Sequence, residues 1–381
     1  MRALRLATTI VAVVAAGLVP VVAAPSASAE TRRDRQWYLK TLDVAAAHKI
    51  TQGAGVVVAV LDTGVGKHPD VDGQILDGVS LAPGEGTSLT DNAGHGSSMA
   101  GIIVAKGGNA DHLLGIAPKA KVLSVRTSTG SKGMGKTNIP EGIRWAVDHG
   151  AKVINISEGG KLEAGGPEAV QYALDHDVVV VAGSGNVAQF AAGSGVIQPA
   201  SIPGVVAVTA HDRNGNAWSG AITGPEVVLS APGVAIPSVS AAGGGRVVGY
   251  YESTDGTSNS TAVVSGAAAL IRAKYPDLPA KDVIQRLIST ADDAGAPGRD
   301  PQYGYGRLNL VKALTADVAP VAANPLLQSA RSSGQAASAA PAADDDGLAP
   351  AIRLAAIAGG GVCLLLVVAG ILFLTLRRRR A

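Results

Sequence analysis

The sequence predicts an α/β domain of three layers, a mostly parallel central sheet with helices on both faces. Three observations carry this. Short β-branched apolar runs alternate with longer amphipathic or Ala-rich stretches, the order expected of strands joined by crossover helices. The runs are nearly continuous in apolar residues, as in strands buried on both faces. Aromatic residues are scarce, with only two Phe in 381 residues, so Val, Ala, Ile and Leu must fill the interior.

In chain order, strands are predicted at 56–61 (VVVAVL), 121–126 (KVLSVR), 153–157 (VINIS), 178–182 (VVVVA), 205–209 (VVAVT) and 227–230 (VVLS). Helices are predicted at 95–106, 138–149, 167–176, 258–274 and 280–291. In open parallel sheets of this kind, active residues gather at the carboxyl ends of the strands. No internal repeat is visible, and residues 30–314 read as one domain.

The two ends read as addresses. Residues 1–29 carry Arg2 and Arg5, then an apolar stretch, then Ala27-Ser28-Ala29, the pattern of a cleaved secretory signal. The alternative, an uncleaved anchor helix, sits poorly with Pro20 and Pro25. Residues 315–352, rich in Ala, Pro and Ser, predict a flexible stalk. A transmembrane helix is predicted at 353–376: from Leu354 to Leu376 there is no charged residue, and such a helix reaches about 34 Å. Arg377, Arg378, Arg379 and Arg380 follow in a tail at 377–381, and Asp344, Asp345 and Asp346 precede the span. The positive-inside tendency places the tail in the cytoplasm and the domain outside, a single-pass protein of the cell membrane. Formal net charge is +2, with no general basic surface for nucleic acid. The single Cys, Cys363, excludes a disulfide within one chain and a thiolate metal cluster.

Hydrolysis of a peptide bond needs a nucleophile, a base, a group that orients the base, and donors for the oxyanion. Val58-Ala59-Val60-Leu61-Asp62-Thr63-Gly64 ends a strand in a carboxylate, which taken alone is equally a turn cap. Asp91-Asn92-Ala93-Gly94-His95-Gly96-Ser97 places His95 between glycines at a helix start, where other backbone can approach closely. Gly256-Thr257-Ser258 precedes an apolar helix; Ser258 is either a helix cap or a nucleophile beside helix-end amides. His112, His149, His176 and His211 show no metal-ligand spacing, and acidic clusters typical of a calcium loop are not evident. No cofactor is expected.

Taken jointly and in this order, the blocks around Asp62, His95 and Ser258 resemble the catalytic blocks of the subtilisin-like (subtilase) serine proteases. The stretch from Gln36-Trp37-Tyr38-Leu39 through Gly55 resembles the family's lead-in, and the likeness runs from about Gln36 to Leu310. It implies the subtilisin-like fold, with Ser258 as nucleophile, His95 as general base and acid, and Asp62 orienting the ring. It also implies Asn186, in Val181-Ala182-Gly183-Ser184-Gly185-Asn186, as oxyanion donor with the Ser258 amide; the rival Asn155 corresponds to a structural neighbour. Substrate would add as a strand beside Ser157-Glu158-Gly159-Gly160. Glu158 departs from the apolar residue often found there, which favours a polar or basic acyl-side residue, or leaves an exposed Glu with no role.

A second departure follows the serine, where Asn259-Ser260-Thr261-Ala262 replaces the family's usual Met-Ala-small-Pro. Counting back from Gly266 still selects Ser258. The short stretch between residue 29 and Asp62 leaves no room for a long folding propeptide. With the stalk, membrane helix and basic end, it resembles the mycosins, membrane-anchored subtilases associated with type VII secretion. Mycosins often have disulfides in this domain, and this chain departs from them there. The expected function is an endopeptidase processing exported protein, its partners a protein substrate, the membrane and a secretion complex. The alternative is a weakly active subtilase serving that complex as a scaffold.

Overall fold

Among the described residues seven parallel strands form one sheet, and their order follows from where the chain reverses direction. The computed structural model describes residues 30–130, 138–162, 164–240 and 250–327. Strand β1 (Val57–Asp62) lies between β3 (Lys121–Arg126) and β4 (Val153–Ile156), and β2 (Ile75–Ser80) lies outside β3. On the other side β4 is followed by β5 (Val179–Gly183), β6 (Val206–His211) and β7 (Leu229–Pro232). The chain therefore builds to one side of β1 and then switches to the other. Such a switch point opens a crevice at the carboxyl ends of the strands. Here those ends are Asp62 on β1 and the Ser157–Gly160 segment after β4.

Continuous apolar sequence explains the central strands: every residue of β4, β5 and β6 is buried. Three short helices, α1 (Arg32–Arg35), α2 (Trp37–Thr41) and α3 (Val44–Ile50), precede β1. The layers are then α4 (His95–Val104) with α7 (Thr257–Lys274), and α5 (Ile139–Asp148) with α6 (Gly166–Asp175). Helix α8 (Ala280–Ser289) packs on α7, as does α9 (Leu310–Thr315). Helix α7 is buried nearly all round, its polar first turns included, and Val263, Val264, Ala267, Leu270 and Ile271 are 0% exposed.

The six predicted strands and five predicted helices are all present, with ends displaced by no more than two residues. Three strands escaped the sequence pattern. In β2, Asp77 and Gly78 interrupt the apolar run, and the strand is a half-exposed edge whose register shifts between Leu76 and Val79. An antiparallel pair, β8 (Ile236–Ser240) and β9 (Tyr250–Thr254), carries Pro237, a residue that argues against a central strand. The lead-in is pinned by specific bonds: the Gln36 side chain brackets Leu114 N and O at 2.9 Å each, and Trp37 Nε1 donates to Val234 O at 3.1 Å.

Residues up to Pro320 belong to one compact unit, and the chain from Val321 onward to a second, described only as far as Leu327. Among the described residues no helix is long and apolar enough to cross a membrane. The expected signal at 1–29, the span at 353–376, the tail and most of the stalk lie outside the described residues.

Candidate active site

Asp62 closes β1 and is fully buried, and His95 opens α4 directly above it. Ring Nδ1 lies 2.8 Å from Asp62 Oδ1 and 2.9 Å from Oδ2. The glycines beside His95 supply the close approach expected of them. Gly94 caps α4 in the left-handed region at φ 83°, and a Cβ on Gly96 would fall 2.1 Å from Gly64 O. The loop after β1 can thus lie against the first turn of α4.

A second carboxylate holds this junction. Asp91 Oδ1 accepts from Thr63 Oγ1 at 2.8 Å and Gly94 N at 2.7 Å, while Oδ2 accepts from Ser97 N at 2.8 Å and Ser97 Oγ at 2.6 Å. Thr63 N in turn donates to Asp62 Oδ1 at 2.8 Å, and Gly96 N donates to Thr63 Oγ1 at 3.0 Å. Neither Thr63 nor Asp91 was singled out from the sequence. The signal available was an Asp shortly before a helix start, a capping pattern, but its partners come from two separate segments.

Ser258 is the second residue of α7, half-buried, in the first turn, where helix amides lack intrahelical partners. Its Oγ donates to Ser157 O at 3.0 Å, and Ser157 Oγ returns a bond to Ser258 O at 3.1 Å. Among the described residues no hydrogen bond joins Ser258 to the His95 ring. Asn186 follows β5: its Oδ1 accepts from Thr257 N and Thr257 Oγ1, both at 3.0 Å, and its Nδ2 donates to Gln189 Oε1 at 3.1 Å. That amide nitrogen lies 3.7 Å from where a Cβ on Gly256 would sit, beside the Ser258 turn. The rival Asn155 is fully buried, donating to Ser157 Oγ at 3.1 Å and accepting from Ser265 Oγ at 3.0 Å. It ties β4 to α7.

Ser157, Glu158 and Gly159 all lie half-buried along the segment after β4. The Glu158 carboxylate accepts from Ser128 Oγ and, at 3.3 Å, from Thr127 Oγ1, so it is held on the wall formed by the end of β3. Burial and the Asp62 charge push it up to about 7, against the opposing effects of Ser128, His95 and Thr127. For His95, burial works against the imidazolium, but the Asp62 carboxylate outweighs it, with Glu158 and Asp91 adding, and the ring is raised to about 9. Among the described residues no group of three or more His, Cys, Asp or Glu could hold a metal ion.

Chemically, the site offers an imidazole whose charged form is stabilised, a helix-end hydroxyl, and amide donors beside that hydroxyl. The chain is a serine protease of the subtilase family, whose model matches residues 53–306. It is 35% identical to a thermostable alkaline protease of Halalkalibacterium halodurans over 73% of each chain. It is also related to the mycosins: it is 33% identical to Mycosin-4 of Mycobacterium tuberculosis, over 79% of this chain and 73% of that one. The solved structure of MycP1 from Mycobacterium smegmatis superposes with a TM-score of 0.68 at 28% identity, covering 79% of this chain and 89% of that one. A chain of the intact ESX-5 inner membrane complex matches with a TM-score of 0.66 at 29% identity, covering 89% and 90%.

Proposed function

We propose that the protein is a membrane-anchored, extracytoplasmic endopeptidase that processes exported proteins linked to type VII secretion, through Asp62, His95 and Ser258. The observation that carries this reading is the two-oxygen seat of the His95 ring on buried Asp62. Ser258 attacks the scissile carbonyl while His95 takes its proton, and the ring later gives that proton to the leaving amine. Asp62 fixes the tautomer with the proton on Nδ1 and stabilises the imidazolium. Asn186 Nδ2 and the Ser258 amide receive the oxyanion.

Substrate pairs as a strand along Ser157, Glu158 and Gly159. A peptide N–H that takes the Ser157 carbonyl displaces the Ser258 hydroxyl from it and leaves that hydroxyl free to turn to the imidazole; catalytic hydrogen bonds commonly tighten only on binding. Glu158 favours a basic or polar residue on the acyl side. The likeness to chains of an ESX-5 inner membrane complex supports the secretion partner and the location outside the membrane.

A fluorophosphonate probe tests the enzyme reading: it should label the wild type and leave Ser258→Ala unlabelled. A scaffold role is the second reading, favoured by the Ser258 hydroxyl resting on Ser157 and by the unusual Asn259-Ser260 after it. Failure of both proteins to label would select the scaffold. Indifference of cleavage to acyl-side charge, unchanged in Glu158→Gln, would remove the specificity assigned to Glu158.

A further inference from the structure

Three polar residues follow Ser258 in the first turns of α7, and all three are buried: Asn259 is 1% exposed, Ser260 and Thr261 0%. Polar groups taken out of water are tolerated where they find partners. Thr261 Oγ1 stays within the helix and donates to Thr257 O at 2.7 Å. The other two reach outside it. Ser260 Oγ donates to Ala231 O at 2.9 Å. The Asn259 amide nitrogen donates to Thr254 O at 3.0 Å and to Gly233 O at 3.3 Å, and Thr254 Oγ1 donates to Asn259 Oδ1 at 3.4 Å. Both carbonyls can only accept, which fixes the orientation of the amide.

These partners belong to the segments that support the serine turn from behind. Thr254 ends β9, four residues before Ser258, and Gly233 follows β7. Gly233 O also accepts from Gly256 N at 2.9 Å, so one carbonyl receives both the main chain of the turn and the Asn259 side chain. The approach is close: a Cβ on Gly233 would fall 2.3 Å from Ser260 Oγ and 2.8 Å from Gly256 O. On its other side the turn is held by side chains, Asn186 through Thr257 and Ser157 through Ser258 O. Both of those stand where substrate is proposed to bind, whereas Asn259 ties the turn to main chain away from it.

We propose that Asn259 is a positioning residue for the nucleophile: it clamps the end of β9 and the segment after β7 to the first turn of α7, and so fixes the Ser258 amide and hydroxyl relative to Asn186 and His95. This rests on the protease reading above. Enclosed as it is, Asn259 does not meet substrate and acts only through Ser258. An apolar side chain of similar size would fill the space but offer neither carbonyl a donor. A displacement of reacting groups by about 1 Å costs about 10²-fold in rate.

The test uses the full-length chain, with active sites counted by fluorophosphonate labelling so that a misfolded fraction is not scored. Asn259→Leu keeps the bulk and removes both donors. On a quenched peptide that the wild type cleaves, its labelled sites should show kcat lowered about 10- to 100-fold with KM within about threefold. The second-order labelling rate, which does not depend on peptide binding, should fall with kcat. The acid limb of the pH profile should stay in place, because the His95–Asp62 seat is untouched. Asn259→Ser, which keeps one donor, should lose less, and it covers the case in which the leucine variant does not fold. Labelled variants with wild-type kcat and labelling rate overturn the proposal whatever their melting temperature, since a purely structural Asn259 would change stability alone. So does a shifted acid limb, or a KM that rises as much as kcat falls. A wild type that takes no label at all overturns the protease reading itself, and this inference with it.

Discussion

Replacing Asp62 by Asn alters one atom and removes one charge at the base of the site. The rise of His95 from an ordinary 6.5 to about 9 corresponds to about 3.4 kcal/mol in favour of the imidazolium. The ring is 38% exposed, and solvent screening reduces that to about 2 kcal/mol, or roughly 30-fold in rate. The geometry adds a second loss. Asp62 Oδ1 is fixed by the Thr63 N–H at 2.8 Å, so the amide oxygen of Asn must take that place. Its NH2 then occupies the Oδ2 position, 2.9 Å from His95 Nδ1, and donates to it. The ring proton is forced onto Nε2, where the base must be empty. Together the two effects should lower kcat/KM by about 10³ to 10⁴, the scale seen when a triad carboxylate becomes an amide. The acid limb of the pH profile should move as well. In the wild type activity should fall as pH drops through about 9, because the base becomes charged; without the Asp62 carboxylate, burial is opposed only by Glu158 and Asp91, and the limb should move downward. Steady-state rates from pH 5 to 10, with a thermal melt to confirm folding, measure both. A loss under tenfold, or a limb left near 9, would refute the assignment.

Glu158→Gln should move the acid limb of kcat/KM downward, because the charge it removes stabilises the imidazolium; an upward or absent movement in a pH–rate titration contradicts this. Asn186→Ala should cost about 10² to 10³ in kcat with little change in KM, read by steady-state kinetics, and equal losses in kcat and in substrate affinity would point to a structural role instead. Gly96→Ala should destabilise the fold by about 1–3 kcal/mol, because its Cβ collides with backbone at Gly64 rather than with a movable side chain. Urea unfolding with an unchanged midpoint would count against that packing.

The candidate catalytic blocks were legible because each is short and local. Asp62 ends a run that can only be a buried strand, His95 opens a helix between glycines, and Ser258 and Asn186 each follow a recognisable break. The supporting contacts were not. Asp91 acts through Thr63 and Ser97, and Glu158 is held by Thr127 and Ser128, partners from separate segments of the chain whose adjacency depends on the order of the sheet. That order itself was out of reach, since an apolar run declares burial on both faces but not which strands flank it.

Chemistry and selectivity are consequently carried by different kinds of structure. The proposed base and its carboxylate stand on the ends of β1 and α4, elements fixed by the core, where buried Asp62 and Asp91 leave little freedom. Glu158, proposed to choose the substrate, stands on the irregular segment beyond the end of β4. Substitution there costs little burial and leaves the Asp62–His95 seat intact. Glu158 nevertheless reaches back electrostatically to His95. A change made for specificity at that position therefore also retunes the proposed base.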